Sequence, residues 1–257
     1  GGVSMETIQL SALVVAYNEE ARLAACLDGL TFADETVVVL DKCTDGSKSI
    51  ASGYTDRLIE GSWDREGERR NVGIEACRGK WIFEIDADER ASDPLAEEIR
   101  ATIEVVEGDI FNIPVDNFVG DHFICHVWGG LFGKNGYPGL FRKGVKVWGR
   151  ERVHPHLHVS GRQGTDLKTP IIHYVDRNIS DMLIWLDRYT TLRAKDLADS
   201  GDVGSFPNMV RKIFSRFWKC YVTRRGNREG GYGFVIALCA ALYPVLSHLK
   251  ARLEPAP

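Results

Sequence analysis

The sequence predicts an α/β protein: a mostly parallel sheet covered by helices on both faces, followed by a helical extension at the C-terminal end. Three observations lead there. Short, near-continuous apolar runs alternate with helical patterns through the first hundred residues. Strands that are apolar along their whole length are buried on both faces, which is the habit of parallel sheets with crossover helices. Beyond residue 178 the apolar spacing is helical alone.

Each element follows from its own pattern. Ile8 to Ala16 reads as the first strand, and Leu23, Cys26, Leu27 and Leu30 line one face of a helix over 19–30. Thr36 to Leu40 is a second strand, Asp45-Gly46-Ser47 opens a short helix, and Arg57 to Ile59 is a weaker strand. Glu66 to Cys77 reads as a helix, with Gly79 expected to close it in a left-handed conformation. Trp81 to Ile85 is the fourth strand. Over 109–175, glycines and aromatics separate short β-like pieces, expected as antiparallel additions beside the sheet. From Ser180, the residues Met182, Leu183, Leu186, Tyr189 and Leu192 repeat with a helical period. An amphipathic helix is expected from Phe206 to Tyr221. Tyr232 to Leu249 is largely apolar, with Pro244 expected to interrupt it.

Composition narrows the function classes. A formal net charge of −4 over 257 residues argues against a general nucleic-acid binder. Positive charge is concentrated instead, since residues 211–228 hold seven Lys or Arg and no acid. Interleaved with Phe214, Phe217, Trp218 and Tyr221, these bases predict a helix drawn to an anionic membrane surface. Six cysteines without a CxxC pair indicate reduced thiols and a reducing compartment, and no signal-peptide pattern is visible. The expected location is therefore cytoplasmic, peripheral on the inner face of the cytoplasmic membrane.

Three strand ends carry the chemistry. The fourth strand runs into Asp86-Ala87-Asp88, two hard oxygen donors suited to Mg²⁺ or Mn²⁺ carrying a diphosphate. The first ends in Tyr17-Asn18-Glu19-Glu20, where an aromatic ring can stack on a base. The second ends in Asp41, which can accept hydrogen bonds from a base or ribose. Asn18 and Asp45 serve equally well as helix caps. Neither G-x-G-x-x-G nor G-x-x-x-x-G-K-[ST] is present. A diphosphate would then rely on a cation held by Asp86 and Asp88 and on side chains such as Arg70.

In this order the motifs AYNEE, LDKCTDGS, Arg70-Asn71-x-Gly73 and IDADE resemble those of family 2 glycosyltransferases with the GT-A fold. The resemblance implies that Tyr17, Glu19, Asp41 and Arg70 bind a nucleotide-diphosphate sugar together with Asp86. It also implies that Asp88, with Asp86, ligates the metal. Leu140-Phe141-Arg142-Lys143, Arg152-Val153-His154-Pro155, Ile171-Ile172-His173-Tyr174, Arg188-Tyr189-Thr190 and the stretch from Arg224-Arg225-Gly226 to Gly233-Phe234 are similar to small glycosyltransferases of bacterial lipopolysaccharide inner-core assembly. Those relatives carry Val-His-Glu where this chain has Val-His-Pro, and many have a second acid and a glycine after the position of Asp41.

The expectation is a metal-dependent, inverting glycosyltransferase. It would act on a glycan or glycolipid acceptor of lipopolysaccharide-core type, without nucleic acid and with homo-oligomers open. Inversion needs a base beside the acceptor hydroxyl. With Pro155 unable to serve, Glu151 is the first candidate and His154 the second; Glu151 reads equally well as a surface acid paired with Arg150 or Arg152. Residues 5–177 are expected to form the GT-A domain, with the donor half over 5–110 and the acceptor half over 111–177. Residues 178–257 would form the extension. A polyprenyl-phosphate glycosyltransferase and a silent sugar-nucleotide-binding scaffold are the alternatives.

Overall fold

Alternation along the first strand dictates how the sheet is covered. All seven residues of β1 (Leu10–Ala16) are buried. Leu10, Ala12, Val14 and Ala16 join the hydrophobic cluster on one face, whereas Leu13 and Val15 join that on the other. The computed structural model describes residues 8–105, 107–127, 133–150 and 156–254. After β1 come α1 (Glu20–Asp28), β2 (Glu35–Asp41), α2 (Ser47–Ser52), β3 (Leu58–Gly61), α3 (Glu66–Ala76), β4 (Trp81–Asp86), β5 (Glu89–Arg90) and α4 (Asp93–Val105). Leu23, Cys26 and Leu27 of α1 and Leu95, Ile99 and Ile103 of α4 pack on the first face. Ile74 of α3 packs on the second.

The chain then forms β6 (Ile110–Val119), β7 (His122–Ile124), β8 (Gly136–Arg142), β9 (Lys146–Trp148), β10 (Leu157–Val159) and β11 (Ile171–Asp176). The sheet order is β3-β2-β1-β4-β8-β6-β11-β5, with β7 on β6 and a separate β9-β10 pair. The strands β3, β2, β1 and β4 are parallel, and β8 joins β4 antiparallel. The expected antiparallel additions over 109–175 are therefore present. Sequence runs outward from β1 to β3, then returns to place β4 on the other side of β1. That reversal is the topological switch point at which open α/β sheets bind ligands, outside the carboxyl ends of the strands.

Two compact units divide the chain: Gly1–Val115 with Gly136–His173, and Asp116–Asn135 with Tyr174–Pro257. The second holds α5 (Ile179–Ser200), α6 (Phe206–Trp218), a π-helical turn over Lys219–Thr223 and α7 (Gly230–Leu253). Asn178 caps α5, its side chain accepting the Asp181 N–H at 3.0 Å, and Gly201 closes it at φ 70°. Met182 and Leu186 of α5 pack with Ile236, Ala237, Ala240 and Tyr243 of α7 and with Cys220.

Two local expectations are corrected. Gly79 is not left-handed, and α3 ends at Ala76 with Cys77 extended. Glycine is needed at 79 for close approach: a Cβ there would lie 2.6 Å from both the N and the Oγ of Ser11. Pro244 does not interrupt the apolar stretch. It lies inside the continuous helix α7, packed among buried residues whose contacts outweigh the one missing N–H.

Candidate functional site

Register sets the site. Val15 pairs with Asp86 across β1 and β4, and Ala16 pairs with Leu40 across β1 and β2. The residues that follow, Tyr17 and Glu19 after β1 and Asp41 at the end of β2, thus leave the sheet at the same edge as Asp86. Asn18 and Lys42, one residue past the strand ends or soon after, both take φ 52°. The two loops are stitched together there. Asn18 Oδ1 accepts the Thr44 N–H at 2.8 Å, and Ser47 Oγ accepts the Glu19 N–H at 3.0 Å. Capping is reciprocal: Asp45 accepts the first N–H of α1 from Glu20, while Glu20 accepts the Gly46 N–H at the start of α2.

Asp41 is buried, and both its oxygens are engaged. Oδ1 accepts the Trp63 N–H at 3.0 Å and Oδ2 accepts Arg69 Nη1 at 3.0 Å. A carboxylate retains further lone pairs for a ligand, but its orientation is already fixed by the protein.

The cationic centre is Arg70 on α3. Its Nη2 donates to Asp86 Oδ1 at 2.8 Å, its Nη1 to Glu84 Oε1 at 2.8 Å, and its Nε to Glu66 Oε1 at 3.0 Å. The guanidinium also lies 5.2 Å from the centre of the Trp148 ring. Burial alone would favour the neutral form, but Asp86, Glu66 and Glu84 outweigh it and hold the proton firmly. The next residue explains the rest of the Arg-Asn-x-Gly motif. Asn71 reads the backbone of Trp148 in both directions, donating to its carbonyl and accepting its N–H, each at 2.9 Å. Gly73 lets α3 settle on the sheet, since a Cβ there would come within 2.5 Å of Leu13 Cδ1.

Asp86 and Asp88 flank the turn between β4 and β5, each side chain about one quarter exposed (25% and 24%). Glu89 braces that turn, its Oε2 accepting the Asp86 N–H at 2.9 Å with the Tyr137 hydroxyl 3.0 Å away. Asp88 Oδ2 lies 3.4 Å from His173 Nε2 and 3.9 Å from Arg22 Nη1. Burial would raise the Asp88 carboxyl, but His173 above all holds it below the usual range, assisted by Arg22 and opposed by Asp86. Glu19 responds oppositely. Burial pushes its carboxyl up, Asp88 and Asp86 add to this, and the Arg22 guanidinium 3.1 Å away works against them.

Three acids thus crowd one strand edge, the arrangement a cation relieves. Among the described residues no three His, Cys, Asp or Glu side chains form a metal cage. A pair of carboxylates still fits Mg²⁺ or Mn²⁺, which take most of their ligands from water and substrate phosphates rather than from a full set of protein groups. Donor chemistry and electrostatics both fit such a cation.

The structure therefore brings together Tyr17, Glu19, Asp41, Arg70, Asp86 and Asp88 around one edge. Glu151 and His154 lie outside the described residues. Their flanks are described: Gly149 N–H donates to the His156 carbonyl at 2.7 Å, continuing the β9-β10 pairing. Sequence reasoning missed Arg69, Glu84, Lys146, Trp148 and the pairing of His173 with Asp88. Only His173 had a local signal, a ring interrupting an apolar strand; its backbone position pairs with that of Glu89 in β5.

Comparison with known proteins finds glycosyltransferases. The model of the glycosyl transferase family 2 matches residues 11–136, which include all six of these side chains. The lipopolysaccharide core biosynthesis glycosyltransferase LpsC of Rhizobium meliloti (strain 1021) is 25% identical over an alignment 262 positions long, spanning 95% of this chain and 92% of that protein. An uncharacterized glycosyltransferase of Rickettsia conorii (strain Malish 7) is 29% identical and spans 96% and 90%. Among solved structures, residues 1–349 of S. aureus TarS in complex with UDP superpose with a TM-score of 0.52 at 13% identity, over 96% of this chain and 92% of that one, a likeness of fold.

Proposed function

Since this chain belongs to the family 2 glycosyltransferases and has their GT-A fold, we propose that it moves a sugar, with inversion, from a nucleotide-diphosphate donor to a lipopolysaccharide-core glycan or glycolipid. The observation that carries this reading is the convergence of Arg70, Asp86 and Asp88 at the switch point, beside Tyr17 and Asp41. The whole-length similarity to a lipopolysaccharide core enzyme supports the acceptor class.

In this reading Tyr17 stacks on the base, and Asp41, oriented by Arg69 and the Trp63 N–H, accepts from the nucleoside. Glu19 holds Arg22 at 3.1 Å, which steadies the side of the site next to Asp88. Asp88 and Asp86 would hold Mg²⁺ or Mn²⁺, which supplies Lewis-acid neutralisation of the leaving diphosphate. Arg70 turns its guanidinium toward the same charge, and such fixed cations lower the barrier most where charge builds up. Glu151, or His154 in its place, takes the proton from the acceptor hydroxyl as its oxygen attacks the anomeric carbon. The chain enters and leaves that segment through β9 and β10, and Asn71 pins β9 to the helix carrying Arg70. This ties the flanks of that segment and the donor site to one scaffold. Donor recognition then falls within 5–110 and acceptor recognition within 111–177. Residues 178–257 bring the enzyme to the cytoplasmic face of the membrane.

A thermal-shift panel of UDP-, GDP-, CMP- and dTDP-sugars, with and without Mn²⁺, tests the reading. One donor class should raise Tm only when Mn²⁺ is present, stabilising the fold by about 2.7 kcal/mol at a hundredfold excess over its Kd. No stabilisation by any donor would overturn the assignment.

A further inference from the structure

Two charged side chains in the core of the first unit are not accounted for by donor chemistry. Glu84 points from the middle of β4 and Lys146 opens β9; each is only 1% exposed, and their charges meet at 2.6 Å. Lys146 Nζ also donates to the Pro138 carbonyl at 2.8 Å and lies 4.7 Å from the Phe141 ring and 4.8 Å from that of Trp148. Stability alone does not explain such a pair. Buried ion pairs are often neutral or unfavourable relative to apolar residues of the same size.

What distinguishes this pair is what the second oxygen of Glu84 holds. Lys146 occupies Glu84 Oε2, and Glu84 Oε1 accepts Arg70 Nη1 at 2.8 Å. The other prong of the same guanidinium, Nη2, reaches Asp86 Oδ1 at 2.8 Å. Glu66 Oε1 accepts Nε and Nη2 on the third side, at 3.0 and 2.9 Å, and a planar fork bonded in this way has its rotation fixed. Trp148, next but one to Lys146, covers the guanidinium face, and its backbone is registered on α3 by Asn71. The approach is tight: a Cβ on Gly67 of α3 would lie 1.9 Å from the Gly149 carbonyl oxygen.

Resting on the donor-site reading above, we infer that Glu84 and Lys146 are positioning residues: the buried pair clamps Arg70 onto Asp86 and so fixes the carboxylate offered to the cation and diphosphate. Lys146 neutralises Glu84, so that Glu84 can hold one prong of Arg70 without drawing the guanidinium off Asp86. Neither residue touches the substrate.

The test is Mn²⁺ binding, followed by electron paramagnetic resonance with inorganic pyrophosphate as the probe ligand. The double variant E84L/K146M replaces the pair by apolar groups of similar size. Its Tm should stay close to that of the wild type, while Mn²⁺–pyrophosphate affinity falls about tenfold, the scale of lost support behind a metal ligand. E84Q, which keeps the shape and one hydrogen bond, serves if the double variant does not fold; its affinity should fall by at least about threefold, a smaller loss of the same kind. A folded variant binding within twofold of a wild type that does bind would overturn the inference. Loss of folding in both variants would also overturn it, by marking the pair as structural. A wild type that fails to bind Mn²⁺–pyrophosphate would instead remove the donor-site reading, and this inference with it.

Discussion

Arg70 gathers carboxylates from its own helix, from mid-strand and from a strand end, and each asks something different of it. Glu66, one turn back on α3, holds Nε; Glu84 holds one prong of the fork and Asp86 the other, and in the proposed reading Asp86 is the group presented to the ligand. The proposed base, Glu151, is the residue on which turnover should depend without any effect on donor affinity. Glu151→Gln should lower kcat by about 10² to 10⁴, the usual worth of a general base, with the donor Kd within twofold of wild type. Steady-state kinetics with donor binding by calorimetry would show this; wild-type turnover would transfer the role away from Glu151. At this scale the sequence showed the acids that end strands, because a carboxylate following an apolar run has nowhere to go but the sheet edge. It hid Glu84 and Lys146. A Glu within a strand ordinarily reads as a solvent-facing position, and its partner lies 62 residues away.

Among the elements, α6 and α7 divide the apolar character of the second unit in different ways. The stretch Gly226–Leu253 is long and apolar enough to cross a membrane, yet 61% of its most apolar window is buried inside the protein. Its Ile236, Ala237, Ala240 and Tyr243 belong to the hydrophobic cluster shared with α5. It is explained as a core helix. The edge of α6 is different. Phe214 is 72% exposed and Trp218 64%, and exposed Val222 follows in the π-helical turn. Arg211, Lys219 and Arg225 stand exposed in the same stretch. Exposed aromatics flanked by bases fit the headgroup region of an anionic bilayer, with each base adding about 1 kcal/mol near the surface. In liposome flotation at low salt the protein should rise with phosphatidylglycerol vesicles, and F214S/W218S should bind at least about tenfold less, given roughly 1.5–3 kcal/mol for each large apolar side chain. A wild type that stays at the bottom of the gradient would contradict the membrane reading. Periodicity found these helices, and it also suggested a break at Pro244. That suggestion failed because the burial of its neighbours, a tertiary effect, outweighs the one backbone bond a proline removes. Gly79 misled in a similar way: its role is contact with Ser11, which no local pattern reveals.

For the whole molecule, strand order does what no single motif can. Placing β1 between β2 and β4 brings Tyr17, Asp41 and Asp86 to one crevice, although they are spread over 70 residues of sequence. Likeness to LpsC extends over 95% of the chain, so it includes the helices after residue 178 as well as the sheet. Continuous apolar strands made the parallel half of the sheet legible in the sequence. The pairing of β8, β6, β11 and β5 was not, because β5 is only two residues long, β8 is broken by two glycines, and the paired strands lie far apart in sequence. In the proposed reading Asp88, supported by Asp86, binds the cation that carries the donor diphosphate. Isothermal calorimetry of the stabilising sugar nucleotide against wild type and Asp88→Asn, with and without Mn²⁺, tests it most directly. The wild type should bind only with Mn²⁺, and Asp88→Asn should lose at least about tenfold in affinity, as expected when one of a few charged oxygen ligands becomes a neutral amide. Equal, Mn²⁺-independent binding by both proteins would contradict it.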